Sequence, residues 1–268
     1  MTFRATTAVL AACLAASAAG AQQAHDCLMD PAEIVSVGTT ATGILETMSV
    51  RRGDKVRKGD QIGRLESTLE ESSIDILRTR AASTRLIDTQ KKQVAMYDRR
   101  LERARALRER AVVTEEALEM IEAERLAAES LLVQAEINRE IAELEAARAE
   151  IVLRQRVIRS PLDGVVIELG RFAGEYVDTR DHVAKVARLD PLHVEVFLPV
   201  SLFGTVRIGD TAQVQPAAPV GGVHDARVIS VDPVFDAASG TFGLQLELSN
   251  PDLALPGGHR CTVVFPEN

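Results

Sequence analysis

The spacing of hydrophobic residues changes sharply along the chain, and each change marks a different kind of predicted structure. Between residues 22 and 68, short apolar runs such as Ile34–Val37 alternate with turns that contain Gly and Asp, which is typical of short β-strands. Residues 158–188 return to this pattern after a long interruption. Residues 189–268 are also strand-rich and predict a small barrel or sandwich. The candidate strands of this last segment are His193–Leu198, Ala212–Gln215, Ala226–Val231, Phe242–Leu248 and Cys261–Phe265.

The interruption, residues 69–157, has the composition and the periodicity of long helices. It contains no Gly or Pro and is rich in Ala, Glu, Arg and Leu, which have high helix propensity. Apolar residues recur in it at helical spacing, which indicates that one face of each helix is buried against a partner. The recurring positions are Ile87, Val94 and Leu101, then Leu118, Ile121, Ala128, Leu132 and Ala135, and finally Ile137, Leu144 and Ile151.

A turn interrupts the helical segment near its middle. Two β-branched valines precede Thr114, whose side chain suits a helix N-cap, and Glu115 and Glu116 follow in the first turn of the next helix. The sequence therefore predicts two helices, residues 69–109 and 115–157, each on the order of 60 Å long at the usual rise per residue. So short a connection requires the two helices to run antiparallel, as a hairpin.

The strand-rich segments on either side of this hairpin repeat each other at a constant offset of 121 residues. Each repeat has a Gly before an apolar strand, then Gly-acid-x-Val, then acid-x-apolar. With about 30 residues, each half is too short to bury a core of its own. We therefore predict one small β-sandwich built from both halves, with the hairpin inserted between them. The matching pairs are Gly43–Glu46 with Gly164–Ile167, Gly53–Val56 with Gly174–Val177, Asp60–Ile62 with Asp181–Val183, and Leu65 with Val186.

Residues 1–21 are predicted to be a signal peptide. The apolar, Ala-rich stretch Ala8–Ala16 precedes Ala19–Ala21, which matches the small-x-small cleavage pattern of exported proteins. A second interpretation is that Leu10–Cys13 is a lipobox, which would place a lipid anchor on Cys13. We favour the signal peptide because the apolar run continues past Cys13. The mature chain is therefore expected to be exported.

Two cysteines, Cys27 and Cys261, remain once the signal peptide is removed. An even pair of cysteines in an oxidising compartment favours a disulfide. This bond would close a very long loop, which is stabilising in the chain-entropy account of disulfides. The alternative is two separate buried thiols.

Charge, aromatic content and residue clusters argue against several classes of function. The formal net charge of −8 gives no support for nucleic-acid binding, which needs a basic surface. Aromatic residues are only 3% of the chain, whereas large enzyme cores usually hold more aromatic area. The run His25-Asp26-Cys27 is too short a cluster to predict a metal site. We therefore predict no catalytic, cofactor-binding or metal site.

The halves Gly43–Leu65 and Gly164–Val186 resemble those of a lipoyl or biotinyl carrier domain, with the turn that bears the modified lysine replaced by helices. With the phrases Gly53–Asp60 and Arg159–Gly164, and with the strands that follow, the chain resembles the HlyD-like periplasmic adaptor, or membrane fusion protein, family. The resemblance implies an α+β fold, in which a split lipoyl-like β-sandwich carries an inserted antiparallel α-helical coiled-coil hairpin and a small β-barrel follows.

The implied domains follow the changes of pattern described above. No membrane-proximal domain is expected after the barrel, unlike in larger members of the family. The domains are a signal peptide at 1–21, an N-terminal strand with the first half of the lipoyl-like domain at 22–68, the helical hairpin at 69–157, the second half at 158–188, and the barrel at 189–268.

The resemblance also implies a function without catalysis or a cofactor. A periplasmic adaptor of a tripartite efflux system bridges an inner-membrane pump and an outer-membrane channel, and self-associates into a ring, a hexamer by resemblance. An RND-type pump is favoured over an ABC-type pump. The alternatives are an adaptor of type I secretion, a structural coiled-coil protein of the envelope, and a carrier domain bearing lipoate or biotin. The last is disfavoured because the lysine-bearing turn is absent.

Three residues near the predicted hairpin tip match a pattern by which many such adaptors engage an outer-membrane channel. Arg103, Leu107 and Thr114 stand where the family carries an Arg, a Leu and a Ser. Arg103 would offer a forked, charged donor, and Leu107 would supply an apolar knob. The alternatives are that Leu107 belongs to the hairpin core and that Thr114 is only a helix cap.

Overall fold

The computed structural model describes residues 23–266, so the predicted signal peptide and the possible anchor at Cys13 lie outside the described residues. Within these residues the chain forms two compact units. The sandwich unit comprises residues 34–187, and the barrel unit comprises residues 23–33 and 188–266. None of the described helices combines the length and the apolar character that crossing a bilayer requires.

Twelve strands and three α-helices follow one another along the described residues, with a short 3-10 helix at Val200–Leu202. The bounds of the strands and helices are β1 (Ala24–Gly38), β2 (Gly43–Met48), β3 (Lys55–Val56), β4 (Gln61–Leu65), α1 (Thr68–Ala82), α2 (Arg85–Glu109), α3 (Glu115–Gln155), β5 (Val157–Arg159), β6 (Gly164–Leu169), β7 (Tyr176–Val177), β8 (His182–Pro199), β9 (Thr211–Pro216), β10 (His224–Asp236), β11 (Thr241–Leu248) and β12 (His259–Val264).

The internal repeat governs the strands of the sandwich unit. β2, β3 and the start of β4 lie 121 positions before β6, β7 and the start of β8. The strands pair across the repeat, because β2 pairs with β7 and β3 pairs with β6. The turns correspond too, since the N–H of Gly53 donates to the Val166 carbonyl at 2.7 Å and that of Gly174 donates to the Leu45 carbonyl at 2.8 Å. The two halves therefore form one sandwich by exchanging strand partners.

Apolar residues from both halves fill the core of the sandwich unit. Glycine is required where β6 approaches β8, because a Cβ on Gly164 would lie 2.3 Å from the carbonyl oxygen of Ala187. The core therefore depends on close backbone packing as well as on side-chain burial. The core residues with the least exposure are Leu45, Ile62, Leu65, Val166, Val177, Val183, Ala184 and Val186.

The inserted hairpin has one continuous arm and one interrupted arm. α3 is continuous over 41 residues. The other arm was predicted as one helix over residues 69–109, and this is wrong, because α1 ends at Ala82 and α2 begins at Arg85. Ser83 there has extended backbone angles of φ −78° and ψ 112°. Ser83 and Thr84 are adjacent residues whose hydroxyls compete for backbone hydrogen bonds, which weakens a helix at that point.

A line of alanines on α3 forms the contact between the two arms. Ala128, Ala135 and Ala142 are seven residues apart and buried, and they face buried residues of α1 and α2 that include Ile87 and Leu101. Alanine lets the two arms approach closely, because its side chain ends at Cβ. The periodicity therefore predicted correctly that Ile87 and Leu101 are buried where the two arms meet.

A second predicted stripe on α3 is not buried by any part of residues 23–266. The side chains of Ile137, Leu144 and Ile151 are 44%, 65% and 49% exposed. Both stripes on α3 have seven-residue spacing, but one helix presents only one face to a single partner arm. The alanines occupy the face that contacts the partner arm, so Ile137, Leu144 and Ile151 remain exposed.

The barrel unit contains six of the strands of an eight-stranded sheet, in the order β1-β12-β9-β10-β11-β8, and β1 also pairs with β8. Inward residues alternate along each strand and include Met29, Val194, Leu246 and Val263. β1 begins earlier than the predicted strand at Ile34–Val37, because residues 24–29 pair with β12. Residues 24–33 therefore belong to the barrel unit rather than to the first half of the lipoyl-like domain.

Candidate docking site at the hairpin tip

The tip of the hairpin is a five-residue turn between α2 and α3. Ala111 has a positive φ of 56°. Its N–H donates to the carbonyl of Arg108 at 2.9 Å, and the N–H of Val112 donates to the carbonyl of Leu107 at 3.0 Å. These two bonds are the Schellman pattern that ends a helix through a left-handed residue. The sequence thus closes α2 firmly, although Ala stands where Gly is usual.

Thr114 begins the second arm as an N-cap. Its hydroxyl oxygen accepts a hydrogen bond from the N–H of Ala117 at 3.3 Å. Glu115 and Glu116 follow in the first turn, where negative charge is favourable near the positive end of the helix dipole. The Thr114 side chain is exposed, so its hydroxyl hydrogen stays available as a donor toward a partner. The cap and the docking role are therefore compatible.

Arg103 and Leu107 lie one helical turn apart on the same face of α2. Both side chains are exposed, and Leu107 is 40% exposed. Leu107 is therefore not a core residue, which removes that alternative. Among the described residues Arg103 makes no ion pair with a carboxylate, whereas Arg100 and Arg105 each pair with a glutamate of α3, at 2.6 Å and 2.8 Å.

The most exposed apolar residue of the turn is one that the sequence reasoning missed. Val112 is 68% exposed and lies at the apex between the two arms. The signal was present, because Val112 is a large apolar residue in a connection too short to bury it. From the sequence alone it indicates only a helix break. The tip therefore presents Leu107 and Val112 as exposed apolar side chains, and Arg103 is a cation of α2 that forms no ion pair within residues 23–266.

Ion pairs tie the two arms together below the tip. The guanidinium of Arg125 donates to Asp98 at 2.6 Å and to Glu129 at 3.0 Å. The hydrogen bond to Asp98, together with the charge of Glu129, raises the pKa of Arg125 above its ordinary value. Half-exposed pairs of this kind add little to stability. Their effect is to fix the register of the arms and hence the position of the tip.

The structure brings Cys27 and Cys261 together in the barrel unit. They are directly opposite on β1 and β12, their Cα atoms are 4.9 Å apart, and their sulfurs are bonded. The bond uses the one thiol of the run His25-Asp26-Cys27. Among residues 23–266 no group of three or more His, Cys, Asp or Glu side chains has the geometry to hold a metal ion.

Comparison with known proteins gives two family matches that cover most of the described chain. Residues 33–188 match the CzcB-like barrel-sandwich hybrid domain, and residues 191–267 match the CusB-like beta-barrel domain. The first match alone covers more than half of the sequence. The junction between the two matches falls within β8, close to the boundary between the sandwich unit and the barrel unit.

Individual relatives are distant, but they agree with the family matches. The chain is 24% identical to the nodulation protein NolF of Rhizobium meliloti, over 79% of this chain and 54% of that protein. It is 24% identical to the cobalt-zinc-cadmium resistance protein CzcB of Cupriavidus metallidurans, over 82% of this chain and 40% of that protein. The chain thus spans about half the length of the curated relatives it matches.

Among solved structures, the fold is similar to that of MacA from Actinobacillus actinomycetemcomitans. The TM-score is 0.76 and the sequence identity 21%, with 91% of this chain and 78% of that chain covered. At this level of identity the likeness concerns the fold, namely a lipoyl-like sandwich split by a helical hairpin and followed by a barrel. The family matches, the repeat and this fold together show that the chain belongs to the membrane fusion protein, or periplasmic adaptor, family.

Proposed function

We propose that this chain is the periplasmic adaptor subunit of a tripartite efflux system, which bridges an inner-membrane pump and an outer-membrane channel. The observation that carries the proposal is the hairpin, because it replaces the cofactor-bearing turn of a carrier domain with two antiparallel arms that end in an exposed tip. We propose that the role of this arm is to reach a partner, because its tip carries exposed apolar side chains.

The tip offers the chemistry that binding to the ends of channel helices requires. Leu107 and Val112 are exposed apolar side chains that can enter holes between helices. Arg103 is exposed, and its forked guanidinium matches carboxylates or helix C-terminal carbonyls. Thr114 keeps a hydroxyl donor free beside them. These four side chains form the proposed channel-docking site.

The pump is proposed to be of the RND class rather than the ABC class. Support comes from the family that matches residues 191–267, which is a CusB-like barrel named for RND systems. We propose that the barrel unit contacts this pump. We also propose that the chain acts without a cofactor and without catalysis, since the residues between the repeated halves are helical and offer no turn for a modified lysine.

A photo-crosslinking experiment in the native envelope tests the bridging role. One probe replaces Val112 at the tip, and a second replaces Asp236 in the barrel unit, where the side chain is exposed. We expect the tip probe to capture an outer-membrane channel and the barrel probe an inner-membrane transporter, whose sequence identifies the pump class. Capture of a type I secretion transporter would replace the efflux assignment. Capture of nothing but copies of this chain by both probes would contradict bridging.

A matched pair of variants tests the docking site itself. Leu107→Asp places a charge on the apolar contact, and Leu86→Asp makes the same change at a site on the same helix that is also exposed but far from the tip. We expect Leu107→Asp to abolish efflux while folding is kept, and Leu86→Asp to leave efflux near the wild-type level. Wild-type efflux in Leu107→Asp would remove the docking site from the proposal.

A further inference from the structure

Positive charge is concentrated on two adjacent turns of the sandwich unit. Residues 51–60 hold five cations and two carboxylates, a net charge of +3, although the whole chain has a net charge of −8. All five cations are exposed, and within residues 23–266 none of them forms an ion pair. The guanidinium of Arg159 donates to the carbonyl of Gly59 at 2.8 Å, so a sixth cation lies beside these turns. We call the six residues the basic patch: Arg51, Arg52, Lys55, Arg57, Lys58 and Arg159.

The internal repeat contains a second copy of the same two turns without this charge. Residues 172–181 correspond to residues 51–60 at the offset of 121, and they hold one cation and three carboxylates, a net charge of −2. That one cation, Arg180, is paired with Asp178 at 2.9 Å. The counterparts of Arg51, Arg52, Lys55, Arg57 and Lys58 are Phe172, Ala173, Tyr176, Asp178 and Thr179.

Both copies build their turns in the same way. The N–H of Arg51 donates to Oδ2 of Asp54 at 2.7 Å. In the second copy, the N–H of Phe172 donates to Oε2 of Glu175 at 3.1 Å. The next turn repeats this bond in each copy, at 2.8 Å and 3.0 Å. The second copy has an uncharged or acidic residue in place of each cation, so the turns themselves do not require the positive charge.

Protection of a sheet edge does not account for the cations either. Lys55 lies on β3, the last strand of its sheet, and a lysine on an edge strand can prevent pairing with other chains. However, β7 is also the last strand of its sheet, and it carries Tyr176 at the position of Lys55. Like charges held close together repel one another, which opposes folding. The basic patch is therefore explained by an anionic partner.

The arrangement of the basic patch fits an extended anion rather than a compact one. Lys55 and Arg57 flank the buried Val56 and are both exposed, about 7 Å apart along the chain at the usual rise of a strand. Backbone N–H groups that could surround a phosphate are occupied, because those of Arg51, Arg57 and Lys58 donate to carboxylates of the protein itself. The partner must therefore be held by separate side chains, each of which faces one of a series of anions.

The residues around these cations narrow the class of partner further. Val56 is the one large apolar residue among residues 51–60, and it is buried, so the turns have no apolar side chain to insert into a bilayer. The same residues include no aromatic side chain on which the bases of a single-stranded nucleic acid would stack. A polymer that carries single carboxylates at intervals fits both observations.

We propose that the basic patch binds peptidoglycan through the carboxylates of its peptide stems. This rests on the proposed function, because a chain that bridges the two membranes of the envelope must pass the wall polymer that lies between them. Carboxylates recur singly along that polymer, which matches cations that are spread over two turns. The contact holds the adaptor at the wall and leaves the hairpin tip free for the channel.

Co-sedimentation of the purified chain with isolated peptidoglycan sacculi tests the proposal. We expect the chain to sediment with the sacculi at low salt, and the binding to weaken as salt is added, because salt screens exposed charges. Sacculi whose stem carboxylates have been converted to amides should bind the chain on the order of tenfold more weakly. Absence of binding to untreated sacculi, or equal binding to the amidated ones, would overturn the proposal.

Two triple variants separate the basic patch from the overall charge of the chain. One removes three cations of the patch, through Arg52→Gln, Lys55→Gln and Lys58→Gln. The control removes three exposed cations of α2 that also form no ion pair within residues 23–266, through Arg85→Gln, Lys91→Gln and Lys92→Gln. We expect the first variant to weaken binding to sacculi roughly tenfold and the control to weaken it no more than about twofold. Equal losses would contradict a specific site.

A transplant from the second copy tests whether the cations serve the fold. The changes Lys55→Tyr, Arg57→Asp and Lys58→Thr install the residues that the second copy carries at the same positions. We expect an unfolding midpoint close to that of the wild-type chain, together with loss of binding to sacculi. A variant that unfolds well before the wild-type chain would assign the cations a structural role, against the proposal.

Lipid vesicles identify the main alternative partner. Binding to vesicles that contain phosphatidylglycerol, but neither to phosphatidylcholine vesicles nor to sacculi, would assign the basic patch to a membrane surface and overturn the proposal. None of these assays contains a pump or a channel. Binding to sacculi can therefore fail while the probe at Val112 still captures a channel, and binding that persists without such capture would contradict bridging but not the patch.

Discussion

The Nε atom of Arg108 lies 3.0 Å from Oε2 of Glu115, and this hydrogen bond joins the last turn of α2 to the first turn of α3 across the tip. Both side chains are about half exposed, so water and salt screen the attraction and the pair adds little to global stability. Its consequence is local, because it restrains the turn that carries Val112.

We predict that Arg108→Ala loosens the tip without unfolding the hairpin. Amide hydrogen exchange in residues 110–114 should rise severalfold, because the restraint across the turn is lost, while the free energy of unfolding should fall by less than about 1 kcal/mol. Exchange measured by mass spectrometry checks this. Arg78→Ala, which removes the pair with Glu150 at the other end of the hairpin, is the control and should leave exchange at the tip unchanged. Unaltered exchange in Arg108→Ala would contradict the restraint.

The positive φ of Ala111 predicts opposite effects for two substitutions. Ala111→Gly should be tolerated or slightly stabilising, because a left-handed conformation costs an L-residue roughly 1–2 kcal/mol and costs glycine little. Ala111→Val should lower the stability of the hairpin, because a β-branched side chain fits that conformation badly. Thermal unfolding followed by circular dichroism compares the two. A more stable valine variant would show that the turn adopts another conformation.

Loss of the disulfide should destabilise the barrel unit. The bond links residues 234 positions apart, so breaking it frees a very long loop in the unfolded chain. We expect the double variant Cys27→Ser, Cys261→Ser to lose about 2–4 kcal/mol in denaturant unfolding. Addition of a reductant should lower the stability of the wild-type chain and leave the double variant unchanged. A reductant effect of equal size on both would point to another cause.

Asn250 is a buried polar residue on which the barrel unit depends. Its amide nitrogen donates to the carbonyls of Leu189 and Leu255, both at 2.9 Å, and its oxygen accepts from the N–H of Leu255 at 3.0 Å. Asn250→Ala should cost on the order of 2–3 kcal/mol, because buried backbone groups lose their partners. Asn138→Ala removes an exposed amide contact on α3 and serves as the control. A loss below about 1 kcal/mol in Asn250→Ala would mean that other groups satisfy those carbonyls.

The strands of the sandwich unit were largely predictable, and the packing of the hairpin was not. The repeat from Gly43 and from Gly164 fixes where strands and turns begin, because turn chemistry is local. Which of the two stripes of α3 faces the partner arm is not determined by residues that are close in sequence. Both have heptad spacing, and periodicity alone does not state that the small side chain of Ala135 faces the partner arm while Ile137 faces outward.

Two features of the candidate site and one of the barrel unit show the same difference between what is local in sequence and what is not. The cap at Thr114 follows from neighbouring residues and could be predicted. The exposure of Val112 depends on the path of the turn, and the first half of β1 depends on pairing with β12, at the far end of the sequence. Neither is encoded in a short window, so sequence reasoning missed the first and placed the second in the wrong unit.

The exchange of strand partners in the sandwich unit has a consequence for the order in which the protein folds. β2 pairs with β7, so this part of the sheet cannot close until the chain has been synthesised past Val177. The contacts between the arms near the tip join residues that are close in sequence, such as Arg108 and Glu115, so the hairpin can begin to form there earlier, at low entropic cost. Once formed, it holds its two ends together, which shortens the search by which the first half finds the second. Before it reaches outward to any partner, the hairpin therefore serves as an internal folding guide for the domain that it divides.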